Sequence, residues 1–154
     1  MPTGNQRLRV VLLYLVLTTA ALPVMAADDD TNTKHRLALN FNEAMNRCLS
    51  AGCKNIEEVI GFFADDATYL DDAGALWSGK AAIRRRLAQT VADPNVLDRV
   101  EGVEISGLMI VLRLERRKEF KTGNYTGAQV TPHLVVLVLK SGRIARLISI
   151  IPPD

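Results

Sequence analysis

A chain of 154 residues with 19 basic and 17 acidic side chains is close to electrical balance. Setting aside Arg7 and Arg9, which belong to a leader-like N-terminus, leaves 17 of each sign, so no basic footprint remains for a nucleic acid partner. The length and the supply of Leu, Ile and Val set the expectation of one domain with one core.

Arg7 and Arg9 precede an apolar run from Val10 to Leu22, and Val24-Met25-Ala26 offers the small side chains that signal peptidase needs. Residues 1–26 therefore read as a signal peptide cleaved after Ala26, which places the mature protein in the periplasm or outside the cell. The run is shorter than the roughly 18 to 20 residues of a membrane-spanning helix. No second such run follows, so no membrane segment is expected after cleavage; an uncleaved anchor is the alternative. Residues 27–34 are polar and charged and read as a flexible leader.

From residue 35 onward the pattern becomes that of a folded domain, expected to run to residue 151. Leu37, Phe41, Ala44, Met45, Cys48 and Leu49 repeat at three- and four-residue steps, one face of a long helix that Ala51-Gly52 ends. If Gly52 is the left-handed residue just past that helix, a Schellman ending brings Cys48 and Cys53 together. In an oxidising compartment the two are expected to form a disulfide. Asn55 and Glu58 resemble a capping box for a shorter helix with Ile56, Val59, Ile60 and Phe63 as its stripe. Asp65 and Asp66 read as the solvated turn that closes it.

"ATYLD" has the content of a short strand, with Tyr69 and Asp71 on one face and Leu70 and Asp72 on the other. After the "DDAG" break, Ser78 is positioned to cap a third helix, "GKAAIRRRLAQT", with Ile83 and Leu87 inward and Arg84, Arg85 and Arg86 fanned over its exposed sides. Four strands follow: "RVEGVEISG", "LMIVLRLERRKEF", "AQVTPHLVVLVLK" and "RIARLISII", the last two joined by a Lys140-Ser141-Gly142 turn. Helical patterns followed by antiparallel strands imply an α+β domain with helices packed on one side of a curved sheet.

In "LMIVLRLERR", Leu108, Ile110, Leu112 and Leu114 share one face and Met109, Val111, Arg113 and Glu115 the other. The second face is partly apolar, so Arg113 and Glu115 are expected to join Asp71 in a half-buried polar network; the alternative is a cross-strand pair at the surface. Phe63, Trp77, Met109, Val111 and Val135 are expected to line the cavity beside them. His133 is placed to face the same pocket with Val135, a structural hydrogen bond being the plainer use of it. His35 and His133 lie far from the two cysteines, no zinc spacing results, and no metal is assigned.

The order helix, helix, "FFADDATYLDDAG", "WSGKAAIRRRL", then a strand meander resembles the nuclear transport factor 2-like superfamily over about residues 35 to 151, and within it the SnoaL-like and ketosteroid-isomerase-like proteins. That resemblance implies a cone-shaped fold, three N-terminal helices on a mainly antiparallel sheet, often in a homodimer. It also implies a small apolar, polyketide-like or steroid-like ligand. Ketosteroid isomerase implies Asp71 as general base, although its two oxyanion donors fall here on Met45 and Val135, which cannot donate. Limonene epoxide hydrolase implies Tyr69, Asp71, Arg113 and Glu115 as the polar set, with Ser149 where that family has a second catalytic aspartate. The functional expectation is a binding cone, with a cofactor-independent isomerase, cyclase, lyase or epoxide-hydrolase-like enzyme as one rival and a dimeric interaction module of the cell envelope as another.

Overall fold

The computed structural model describes residues 31–152. The expected signal peptide and the first part of the expected leader lie outside those residues. Three helices, α1 (Thr31–Ala51), α2 (Ile56–Ile60) and α3 (Lys80–Ala88), accompany six strands, β1 (Phe63–Leu70), β2 (Leu76–Ser78), β3 (Val96–Ser106), β4 (Met109–Thr122), β5 (Tyr125–Lys140) and β6 (Arg143–Ile150). The strands form one sheet in the order β2-β1-β6-β5-β4-β3, antiparallel throughout except where β1 pairs with β6. This is the α+β architecture expected of the sequence.

Helix α1 forms because its apolar residues fall on one stripe: Ala38, Phe41, Ala44 and Cys48 are buried, with Leu37 and Met45 packed beside them. Residues 31–34, expected in the leader, are helical and belong to it. It ends as the glycine predicts. Gly52 has φ +70°, the Cys53 amide donates to the Cys48 carbonyl at 2.6 Å, and Cys48 and Cys53 are disulfide-bonded.

The sheet folds around a core whose most deeply buried large side chains include Phe63, Ile60, Ile83, Ile110, Leu112, Leu137 and Ile144. Phe41 of α1 meets Phe62 and Phe63 edge to face, with centroids 5.6 and 5.9 Å apart. Curvature comes with irregular register: β3 is bulged between Val100 and Gly102, β5 shifts against β6 at Val138/Leu139, and β1 shifts against β6 between Phe63 and Thr68. Such bulges bend a strand and increase its twist, which lets a sheet of this width wrap around α1.

Two local expectations change. Asp65 and Asp66 belong to the bulged part of β1 and do not form a turn; they project outward and pair with Lys80 at 3.3 Å and Lys140 at 2.8 Å. The helix caps differ as well. Ser78 ends the short strand β2, Gly79 at φ +82° occupies the cap of α3, and Asn55 makes no side-chain bond at the start of α2. At α3 the cap position is taken by a glycine, which has no side chain to offer the free amides, and at α2 the Asn55 side chain does not bond them.

Candidate functional site

Period-two alternation decides what faces the hollow of the sheet. On β4 the inward set is Ile110, Leu112 and Leu114, all buried, and the same alternation carries on to Arg116. Met109, Val111, Arg113 and Glu115 lie on the opposite face. Arg113, with 59% of its side chain exposed, pairs with Glu104 at 3.1 Å and lies over Gly102 of the β3 bulge. The expectation that this face lines the pocket is thereby corrected: its polar residues mark the solvent side, because the all-aliphatic face is needed for the core.

Asp71 is also placed differently. It follows the last residue of β1, and its buried carboxylate is fully engaged in shaping the connection to β2 and α3. Oδ1 accepts the Ala75 amide at 2.8 Å; Oδ2 accepts the Trp77 indole N–H at 3.1 Å and Arg86 Nε at 2.9 Å. Burial works against ionisation, but these three donors prevail and hold the carboxyl below its ordinary range. A carboxylate so committed is a poor proton acceptor, and it does not line the cavity. Trp77 is taken up in the same turn and Phe63 in the core, so neither walls the cavity. Arg84 and Arg86 are not simply solvated: Arg84 forms a two-pronged pair with Glu57, both bonds 2.8 Å, and Arg86 reaches the cavity mouth.

The cavity, about 330 Å³, lies between α1, the segment after α3 and the concave face of the sheet. Phe41, Met45, Leu112, Leu114, Val135 and Leu147 give it apolar walls, with Tyr69 set among them. Of the residues the sequence places at the pocket, the structure brings Tyr69, Val135 and His133 to it. Asp72, expected to point away, lines it beside Arg86.

Its polar wall is built from four adjacent strands. Asp98 on β3 pairs in register with Arg116 on β4, and the guanidinium grips the carboxylate with two bonds, Nε to Oδ1 at 2.7 Å and Nη2 to Oδ2 at 2.8 Å. Helix α1 fixes the backbone there: Asn42 and Asn46 donate to the Asp98 carbonyl at 3.1 and 2.8 Å, and the Asp98 amide donates to Asn46 Oδ1 at 2.9 Å. His133 on β5 is buried, with Nδ1 3.7 Å from Asp98 Oδ2 and Nε2 2.7 Å from Ser149 Oγ on β6. Among the described residues His133 Nδ1 has no hydrogen-bond partner.

Charge and burial set these groups apart. Burial opposes ionisation of Asp98, but the Arg116 guanidinium and nearby His133 overcome it and hold the carboxyl down at about 2. Burial, reinforced by the Asp72 carboxylate, pushes the Tyr69 phenol up to about 12, which keeps it a neutral O–H donor. The cavity end therefore carries a fixed anion, a cation bound to it, an imidazole, a hydroxyl and a phenol above an apolar floor.

Asp98 and Arg116 are pocket residues that the sequence reading does not include, and Ser149 enters it only through the resemblance, as the place of a catalytic aspartate in the epoxide hydrolases. The signal for Arg116 was the unbroken Ile110, Leu112, Leu114 alternation; that for Asp98 was a lone acid opposite it once β3 and β4 are paired.

No protein-family profile matches the chain, and no curated protein matches it. Solved structures do. A protein of Kribbella flavida assigned as a ketosteroid isomerase superposes with a TM-score of 0.63 at 17% identity, over 83% of this chain and 84% of the other. One of Shewanella putrefaciens assigned as a SnoaL-like polyketide cyclase gives 0.58 at 16% identity, covering 80% and 91%. TerC, co-crystallised with polyporic acid, gives 0.59 at 13% identity, covering 78% and 92%. The chain has the cone-shaped, nuclear transport factor 2-like fold that SnoaL-like and ketosteroid-isomerase-like proteins share.

Proposed function

We propose that this chain is an exported protein that binds a small, largely apolar molecule bearing an oxygen function in its cone and performs acid/base chemistry on it. The observation that carries the reading is the mixed lining of the cavity: one end apolar, the other a hydrogen-bonded Asp98, Arg116, His133 and Ser149 set with Tyr69 nearby. A pocket of this size with few convergent polar groups suits a small organic ligand. In this reading His133 takes a proton, Asp98 steadies the imidazolium that results, and Tyr69 donates to the ligand oxygen. That TerC, which shares the fold, was co-crystallised with polyporic acid supports the binding of a small molecule.

The Cys48–Cys53 bond supports export, since disulfides persist in oxidising compartments, and the leader-like N-terminus agrees with it. The outer sheet face, with half-buried Met109, Val111, Leu134 and Val136, supports the homodimer reading.

The test is saturable binding of the apolar fluorophore 1-anilinonaphthalene-8-sulfonate to the mature, oxidised protein. Met45→Trp, which fills the cavity from α1, should weaken that binding about tenfold or more at unchanged circular dichroism, a loss of roughly 1.4 kcal/mol. Equal affinity in the folded variant would place the probe elsewhere and remove the cavity as the ligand site. His133→Gln should leave probe affinity close to that of the wild type, because the proton-moving group is not needed to hold an apolar body.

A further inference from the structure

The proton that His133 would accept can be identified from its two nitrogens. Nδ1 faces the Asp98 carboxylate at 3.7 Å, and Asp98 is ionised and gripped by Arg116. A bare imidazole lone pair held toward that anion is repelled by it, whereas an N–H is attracted. The neutral ring therefore carries its hydrogen on Nδ1. Nε2 is then the acceptor, and Ser149 Oγ, 2.7 Å away, must donate to it. Ser149 also lines the cavity, half-buried, beside His133, so its oxygen can meet a ligand there while bonded to the imidazole.

We propose that Ser149 is a nucleophile activated by His133, with Asp98 as the positioning residue, and that the cavity takes small esters with an apolar acyl group. This rests on the cavity reading above and names the reaction class within it. The three residues come from β6, β5 and β3, so the arrangement is one of geometry and not of a local sequence motif. The 3.7 Å separation at Nδ1 is longer than a hydrogen bond; such contacts are often loose without substrate and tighten on binding.

In the acylation step Ser149 Oγ forms a bond to the ester carbonyl carbon and its proton passes to His133 Nε2. The bond from that carbon to the alcohol oxygen breaks, and the leaving alkoxide takes the proton from His133. Water then attacks the acyl carbon, giving a proton to Nε2; the acid departs and Ser149 Oγ recovers the proton. Negative charge on the carbonyl oxygen has two donors available along the same wall, the Tyr69 phenol and Arg116 Nη1, whose nearest carboxylate beyond Asp98 is Asp72 at 3.9 Å. The walls of Phe41, Met45, Leu112 and Leu147 suit an aryl or short branched acyl group.

Diisopropyl fluorophosphate tests the nucleophile directly: Oγ bonds phosphorus, fluoride leaves, and the serine proton goes to His133. Intact mass of the mature, disulfide-bonded protein should show one diisopropylphosphoryl group, and peptide mapping should place it on Ser149. Mapping is done on the wild-type protein, so the result does not depend on a variant folding. Ser149→Ala should abolish the adduct, and His133→Gln should slow its formation by about 10²-fold or more. A wild-type protein that binds the apolar fluorophore but gains no adduct at Ser149, or gains it on another residue, overturns the nucleophile and leaves the cavity reading intact. A protein that neither binds the fluorophore nor is labelled overturns both.

Discussion

Acid titration of Asp98 gives the most direct check on the electrostatics of the cavity wall. Its carboxyl is held at about 2 in the folded protein against an ordinary value of 3.8, chiefly because Arg116 supplies two charge-assisted bonds to a site from which water is largely excluded. The folded value is the lower one, so the ionised form stabilises the fold fully above about pH 4, and the contribution disappears as the pH falls through about 2. At 1.36 kcal/mol per unit of displacement, that contribution is on the order of 2 kcal/mol. Asp98→Asn removes the titrating group while keeping the side-chain shape and one acceptor for Arg116. At neutral pH the variant should be less stable by about 2 to 3 kcal/mol, because a half-buried guanidinium loses its counterion. Urea unfolding of wild type and variant, followed by circular dichroism between about pH 5 and about pH 2, should give curves that converge by on the order of 2 kcal/mol. Asp66, Asp71, Asp93 and Glu57, also held below their ordinary values, titrate in both proteins and cancel in the difference. Parallel curves across the window would refute the claim that Arg116 stabilises an ionised Asp98.

Asp71→Asn should cost about 1 to 3 kcal/mol in urea unfolding, through loss of the Arg86 ion pair and disturbance of the Ala75 and Trp77 bonds, while fluorophore affinity stays near wild type. Arg113→Leu, on the exposed face with Glu104, should change stability by less than about 0.5 kcal/mol, and a marked loss of ligand binding would return Arg113 to the site. Cys48→Ser with Cys53→Ser should cost about 2 kcal/mol by the chain-entropy estimate for so short a loop, read as a lower urea midpoint; an unchanged midpoint in the oxidised wild type would argue that the bond does not form. Intact mass of exported material should begin at Ala27, and a mass retaining residues 1–26 would reject cleavage.

The parts of this fold that the sequence made legible are those in which local pattern and burial coincide. Helix α1 carries its apolar stripe at helical spacing, Gly52 supplies the left-handed residue that ends it, and the Lys140-Ser141-Gly142 turn joins two clearly alternating strands with Ser141 and Gly142 both at positive φ. Faces were harder. In β4 both faces carry aliphatic residues, since the outer one holds Met109 and Val111, so hydrophobicity alone did not say which side was the core. The polar residues Arg113 and Glu115 then looked like the contents of a pocket. The side is fixed by β3 and β5, which pair Arg116 with Asp98 and Leu114 with His133, and register across three strands cannot be read from one. Asp71 misled for a different reason: alternation stops where the strand stops, and β1 ends at Leu70.

The position of the polar cluster also follows from how the core is filled. At one end of the sheet the inward residues of the central strands are Ile110, Leu112, Leu137 and Leu139, which belong to the same buried cluster as Phe41, Phe63, Ile83 and Leu87. Going along β4 and β5 in the other direction, the inward positions become Arg116 and His133, and on β6 Ser149. Polar groups there would each cost stability if left unpaired. Their mutual arrangement offsets that cost: Arg116 saturates Asp98, Asn42 and Asn46 bind the backbone beside it, and Ser149 satisfies one nitrogen of His133. What remains uncommitted among the described residues is the second imidazole nitrogen and the cavity-facing side of Ser149 and Tyr69. A network serving only rigidity would gain nothing by presenting a hydroxyl and a neutral phenol to an apolar hollow. If Ser149 serves structure alone, the wild-type protein gains no diisopropylphosphoryl group and Ser149→Val costs only the hydrogen bond to His133, about 1 to 3 kcal/mol in urea unfolding; if it meets a ligand, the wild-type serine is labelled and the same change abolishes the label at a similar cost in stability.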